Sequence, residues 1–216
     1  NYEITISELN QYDDLTAITE EALSNHPLVG VPTSFTAVVV SYPKSSGLAS
    51  PNPISRLHVF VTDTAAASQG REYMSMQIVE SELGLVEPLT RGDIIEVNGQ
   101  HGFFFTTAQY DLTSAEKLGN VNTPTELSNG VSTSRYQFLL DPWTINLSEL
   151  NSTTENGNYQ SNVDNYGKYI GAYARIEQGV VSNVSIGDRP DWAVNADGTR
   201  IYTYDVSLRY RNDRTA

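Results

Sequence analysis

Strands are the first thing the hydrophobic pattern shows. Phe35-Thr36-Ala37-Val38-Val39-Val40-Ser41-Tyr42 is β-branched and aromatic, too short for a helix, and stopped by Pro43. Residues 54–62 (ISRLHVFVT) alternate, which puts Leu57, Val59 and Val61 on one face. Residues 73–79 (YMSMQIV) alternate again, with Met74, Met76 and Ile78 opposite Tyr73, Ser75, Gln77 and Val79. A connector or single helical turn at 81–88 leads to a turn at Gly92-Asp93. The strand that follows sets Ile95 and Val97 against Ile94, Glu96 and Asn98. Gly99 and Gly102 are expected to reverse the chain, because glycine accepts positive φ and close backbone approach. Phe103–Tyr110 is then expected to return as the second strand of a hairpin. Upstream, residues 3–24 read as a short strand or arm followed by one or two helical turns. Residues 43–53 read as a surface loop and 63–71 as a long turn.

The second half is less regular. The polar stretch 113–134 predicts a boundary. It divides the chain into an N-terminal arm and barrel, 1–128, and a second β-domain, 129–216. Tyr136–Leu140 predicts a strand, ended by Asp141-Pro142-Trp143. Ile145-Asn146-Leu147-Ser148-Glu149-Leu150 echoes Ile4-Thr5-Ile6-Ser7-Glu8-Leu9, which points to an internal repeat. A long polar loop at 151–167 precedes a predicted strand at Lys168–Ile176. Residues 179–186 continue it or pair with it. Asp191–Val194 leads to the hairpin signal Asn195-Ala196-Asp197-Gly198 and to the alternating segment Arg200–Tyr210. No second Gly-Asp…Gly hairpin follows, so either the sequence is a fragment that continues past Ala216 or the second unit is completed differently. An incomplete sheet leaves unpaired backbone groups at its edge, and another chain can add a strand there.

Three meander strands, a connector and a two-strand hairpin follow the chain order of a five-stranded OB barrel. Leu89, Gly92, Asp93, Val97 and Gly99, with Val59-Phe60-Val61-Thr62-Asp63, resemble the OB-fold domains of secreted bacterial proteins. Some of those domains sit beside extracellular nucleases, and others belong to surface proteins. The likeness covers residues 30–112. It implies a mostly β chain with one complete OB-like barrel and a second OB-like unit. OB domains that bind nucleic acid carry Lys and Arg on strands two and three, where this chain has only Arg56 and Arg71.

Charge narrows the partners. The chain carries 13 Lys and Arg against 26 Asp and Glu, a net charge of −13. Nucleic-acid affinity comes mainly from basic side chains neutralising phosphates, and the densest basic cluster (Arg209, Arg211, Arg214) is interrupted by Asp213. Nucleic acid is therefore disfavoured. The absence of cysteine excludes disulfides and thiolate metal sites. No apolar run approaches the ~18 residues of a membrane span. Abundant Asn, Ser, Thr and Tyr, with only Lys44, Lys117 and Lys168, fit a secreted or cell-surface protein. Asn1 then reads as a mature end after cleavage of a leader.

Candidate chemistry is sparse. Nucleophile-elbow, phosphate-loop and zinc-helix motifs are absent. His26, His58 and His101 do not have zinc-ligand spacing. Asp13-Asp14, Glu20-Glu21 and Glu80/Glu82 read as solvated acids rather than a glycosidase pair. Arg91-Gly92-Asp93 spells an adhesive tripeptide, but Gly-Asp serves the strand start and the arginine reads as incidental. Asp188, Asp191, Asn195 and Asp197 are candidate calcium ligands, although a turn alone asks for Asn-x-Asp-Gly. No other cofactor is expected. Tyr42, His58, Phe60 and Arg71, beside the loops 43–53 and 63–71, form a candidate ligand face, suited by charge to a neutral glycan. The expected function is that of a non-enzymatic secreted structural protein. It would self-assemble through β-edges and aromatic patches into a homo-oligomer, filament or surface layer. The alternative is a carbohydrate- or oligonucleotide-binding OB module accessory to an extracellular enzyme.

Overall fold

The structure is a computed structural model that describes residues 2–12, 15–45, 57–82, 84–104, 106–153, 159–182 and 191–204. In order, the elements are β1 (Tyr2–Glu3), α1 (Ile6–Asn10), α2 (Glu20–Ser24), β2 (Pro32–Val39), β3 (Lys44–Ser45), β4 (Leu57–Asp63), α3 (Ala66–Gln69), β5 (Ser75–Glu80), β6 (Asp93–Phe104) and β7 (Thr107–Asn120). A 3-10 helix (Thr133–Leu140), β8 (Trp143–Thr144), α4 (Leu147–Leu150), β9 (Asn151–Thr153) and β10 (Tyr159–Ser161) follow. Two 3-10 turns (Val163–Asn165, Gly167–Tyr169), β11 (Ala174–Arg175), β12 (Val180–Ser182), β13 (Asp191–Ala196) and β14 (Thr199–Tyr204) complete the described chain. It is mostly β, as the alternation predicts.

The large sheet is mixed and runs β1-β2-β6-β7-β5-β4-β3, with β2 also paired to β4. Pairing therefore passes from β2 through β6, β7, β5 and β4 and back to β2, while β1 and β3 add to its margins. It is a mixed sheet rather than a clean barrel: β1–β2 and β5–β7 are parallel, and the other pairs are antiparallel. Both faces of the central strands are buried. Phe35, Ala37, Val39, Val59, Val61, Met76, Ile78, Ile95, Val97, Tyr110 and Leu112 make one core with Ile4, Ile6 and Leu9 of the N-terminal arm. Val38, Val40 and Ile94, from the opposite faces of β2 and β6, join a second core with Ala66, Met74, Tyr136, Leu139 and Leu140. Met74 thus leaves the face expected for it beside Met76 and Ile78. It precedes β5, directly after Tyr73, whose φ is +64°.

Several expectations are corrected. β6 does not reverse at Gly99 and Gly102. It runs unbroken from Asp93 to Phe104 and pairs with β7 throughout, with register shifts at Ile94/Ile95 and Asn98/Gly99. Gly99 serves close approach: a Cβ there would lie 2.2 Å from the Asp111 carbonyl oxygen. The polar stretch from 113 is not a bridge at its start, because β7 continues through it to Asn120. Tyr136–Leu140 is not a strand. As a 3-10 helix it buries Tyr136, Leu139 and Leu140 against the second core and leaves Phe138 exposed. Lys168–Ile176 is a 3-10 turn followed by the two-residue β11, and β12 pairs with β13 rather than with it. The turn expected at 63–71 contains α3. Residues 54–56 of the second predicted strand, 183–186 of the segment 179–186, and 205–210 of the segment Arg200–Tyr210 lie outside the described residues.

The internal echo is structural. β1 pairs in parallel with the start of β2 (Tyr2↔Thr33, Glu3↔Ser34), and β8 pairs in parallel with β11 (Trp143↔Ala174, Thr144↔Arg175). Ile4 N–H then donates to Ser34 O (3.0 Å), as Ile145 N–H does to Arg175 O (3.1 Å). The next helical turn begins alike: Ile6 N–H donates to the Asp63 carboxylate (2.7 Å) and Leu147 N–H to the Asp197 carboxylate (3.0 Å). Both turns end on asparagine. Asn10 Nδ2 donates to Ser75 O (2.7 Å) in β5, and Asn151 Nδ2 donates to Arg200 O (2.5 Å) in β14. By this correspondence β11 and β12 stand for β2, β13 for β4 and β14 for β5. Like β2, β4 and β5, the strands β12, β13 and β14 form an antiparallel meander.

Candidate functional site

A cleft of about 640 Å³ lies where the first sheet meets residues 169–174. Tyr42, just past β2, and Phe60, in β4, line it from the sheet. Tyr169, Gly171 and Tyr173 line it from the C-terminal segment, with Arg91 beside them. That segment lies directly on the sheet. Gly171 has φ +65°, and a Cβ there would come within 2.6 Å of the Met76 backbone. Tyr73 N–H donates to Lys168 O at 3.0 Å, so the segment works as a strap across β5.

Most of the cleft is braced. Tyr169 packs tilted on Trp143, centroids 5.0 Å apart, and its hydroxyl donates to Glu149. That carboxylate is held well below its usual range by the Tyr169 hydroxyl and by Lys168. Lys168 also reaches Glu72 at 3.1 Å. Ser41 Oγ accepts from Phe60 N–H at 2.9 Å and fixes the approach to Tyr42. Arg91 is not incidental. Its Nε donates to Val40 O (3.2 Å), its Nη2 donates to Leu140 O (2.5 Å), and its guanidinium carbon stands 5.5 Å from the Tyr173 ring centre. The arginine thus ties β2, the 3-10 helix and the strap together.

Of the four expected ligand contacts, Tyr42 and Phe60 meet in this cleft. His58 is 2% exposed and edge-on to Phe60, with centroids 5.6 Å apart, so its ring sits in the protein interior rather than on a ligand face. Arg71 faces elsewhere. It donates to the carbonyls of Asp141 and Phe138 and lies over the Phe138 ring. Arg91, Tyr169 and Tyr173 were not legible as cleft residues, because the fold alone brings positions 91 and 169–173 to Tyr42.

The expected calcium ligands are engaged within the protein where the structure describes them. Asn195 Oδ1 accepts from Arg200 Nε (2.7 Å), and Asp197 accepts from Leu147 N–H (3.0 Å). Asp197 and Gly198, at φ +51° and +73°, form the hairpin turn that the sequence predicts. Asp191 opens β13, and Asp188 lies outside the described residues. Among the described residues, no group of three or more His, Asp or Glu could hold a metal.

The buried titratable groups serve backbone amides and each other. Glu80 is fully buried and accepts from the N–H groups of Leu57, Gly84, Leu85 and Val86 at 2.7–3.2 Å. Asp63 accepts from Ile6 and Ala65 N–H, both at 2.7 Å, and burial pushes its pKa up to about 6. Asp93 is bound by Lys117 (2.7 Å), Asn120 and Thr90. His26 and His101 come together with Tyr12 and Tyr166, away from His58. Compared with protein-family models and with curated proteins, the chain matches none. Among the described residues, no helix is long and apolar enough to cross a membrane.

Proposed function

We propose that the chain is a non-enzymatic, secreted structural subunit that self-assembles through strand edges, built from an OB-like barrel and a second OB-like β-unit. The pairing order β2-β6-β7-β5-β4-β2, with β5 and β7 parallel, supports the OB-like reading of the first unit. The internal correspondence supports a related second unit. The polar, cysteine-free and lysine-poor composition supports an extracellular setting.

One observation carries the assembly reading. In the first unit, β2 takes β6 along its other edge, from Pro32↔Gln100 to Val38↔Ile94, and β5 takes β7 in parallel. Their counterparts β12 and β14 form the two edges of a three-stranded sheet. Among the described residues neither takes a further strand. The β12 edge is apolar: Val180 is 64% and Val181 57% exposed. Natural edges are usually guarded by charge, proline or a covering segment. An apolar edge with backbone groups to pair suits strand addition by a second copy.

The test is electron microscopy of concentrated native chain beside a Val180→Lys/Val181→Lys variant. Both side chains are exposed, so the variant keeps its fold. Ordered assemblies of the native chain that disappear in the variant support the reading. Dispersed particles in both samples remove it.

A further inference from the structure

The cleft under the strap shares no lining residue with the β12 edge, Val180–Ser182, and strand addition there does not use it. We propose that it binds the ring faces of a neutral oligosaccharide. This inference stands whether or not the chain polymerises.

The walls supply the first argument. Tyr42 is 64% exposed and Tyr173 41% exposed, and both line one cleft. A tyrosine offers a flat apolar face with a hydroxyl at its tip. A sugar ring offers the matching surface, a C–H face rimmed by hydroxyls. Phe60 and Tyr169 supply further aromatic surface, and Tyr169 is immobilised by Trp143 and Glu149. Little side-chain entropy is left to lose there on binding. The volume of about 640 Å³ falls within the range of small-ligand clefts.

Polarity supplies the second argument. Among the described residues, Arg91 is the one cation lining the cleft. Two of its nitrogens donate to the carbonyls of Val40 and Leu140, which holds the guanidinium and its remaining N–H groups beside the Tyr173 ring. A single positioned donor suits a hydroxyl or ring oxygen. A phosphate chain asks for several cations, and the net charge of −13 repels it at long range. The strap and Arg91 also set this site apart from a ligand face made of the loops 43–53 and 63–71.

The experiment is calorimetric titration of the intact chain with maltohexaose, cellohexaose and xylohexaose, and with oligothymidylate and polygalacturonate as charged probes. Trp143, packed on Tyr169, gives a parallel fluorescence signal. At least one neutral hexasaccharide should bind with a Kd of roughly 0.1–1 mM, with little dependence on salt. Tyr42→Ala and Tyr173→Ala should each weaken it tenfold or more. Tyr2→Ala, at an exposed tyrosine outside the cleft, should leave it unchanged. Melting curves of the variants confirm that they fold. The proposal is overturned if none of the three neutral sugars binds, if binding survives both cleft substitutions, or if only the charged probes bind.

Discussion

The imidazole of His101, in β6, stands edge-on to that of His26, with ring centroids 4.8 Å apart. Tyr12 from the N-terminal arm shares a 3.0 Å hydrogen bond with His101 Nε2 and packs edge-on to Tyr166, which leads into the strap. Tyr166 in turn donates to Thr106 O (2.9 Å) and accepts from Ala108 N–H (3.0 Å). His26 Nε2 donates to Gln11 O, and its Nδ1 accepts from Leu28 N–H. Burial, with repulsion from His26 added, pushes the His101 pKa down to about 3.

A pH dependence follows, and its sign can be worked out. Between about 6.5 and about 3 the unfolded chain holds a proton on His101 that the folded chain refuses. Stability from this group is complete above 6.5 and falls as the pH falls. Asp63 acts oppositely. Its folded pKa of about 6 exceeds its ordinary 3.8, so its contribution grows as the pH falls through that window. The two effects offset between about 3.8 and 6. Replacing His101 by Phe removes one of them. Relative to the native chain, His101→Phe should gain up to about 1.4 kcal/mol for each pH unit below 6.5. Urea denaturation of both proteins across this range measures it. Parallel stability curves would contradict the assignment.

Glycine substitutions should separate crowding from backbone conformation. Gly99→Ala sets a methyl 2.2 Å from the Asp111 carbonyl and 2.7 Å from Tyr110 Cε1. It should cost about 3 kcal/mol or more. Gly70→Ala meets nothing within 4 Å but must hold φ +94° with ψ 175°, a region essentially confined to glycine, so its cost should be about 1–3 kcal/mol. Chemical denaturation of the two variants ranks them, and the reverse order would count against a continuous β6.

Glu80 organises the connector before β6. Glu80→Ala strands four N–H groups that now share one carboxylate and should lower stability by about 3 kcal/mol. Glu80→Gln retains an acceptor oxygen and should cost less. Hydrogen exchange at Gly84, Leu85 and Val86 should accelerate in the alanine variant. Unchanged protection there would show that the carboxylate is dispensable.

The repeat predicts matched lesions. Asp197→Ala removes the acceptor for Leu147 N–H and places a Cβ without side-chain compensation at φ +51°. It should cost about 1 kcal/mol and loosen α4 together with the β13–β14 hairpin. Asp197→Asn keeps both an oxygen and a tolerance of that backbone region, and should recover most of the loss. Proteolysis within the second unit provides the readout. Equal resistance in all three chains would contradict the role assigned to Asp197.

What the sequence made legible follows from distance along the chain. β2, β4 and β5 could be read because alternation and β-branching act locally, and the Asn195–Gly198 turn because its residues match one backbone conformation. Gly99 was misread because the same residue serves reversal and close approach, and only the partner strand decides between them. Tyr136–Leu140 was misread because a short apolar run suits a strand or a 3-10 turn equally. It is the second core, against Val38 and Ile94, that selects the turn. The cleft was half legible. Tyr42, just past β2, and Phe60, in β4, come from paired neighbours, whereas Arg91 and Tyr173 reach them only through contacts between distant parts of the chain.

Light scattering of the purified chain over a wide concentration range reads the assembly state directly. Strand addition at β12 and β14 requires the mass to climb with concentration well above that of one chain. A mass that stays at 23.8 kDa throughout would contradict a self-assembling subunit.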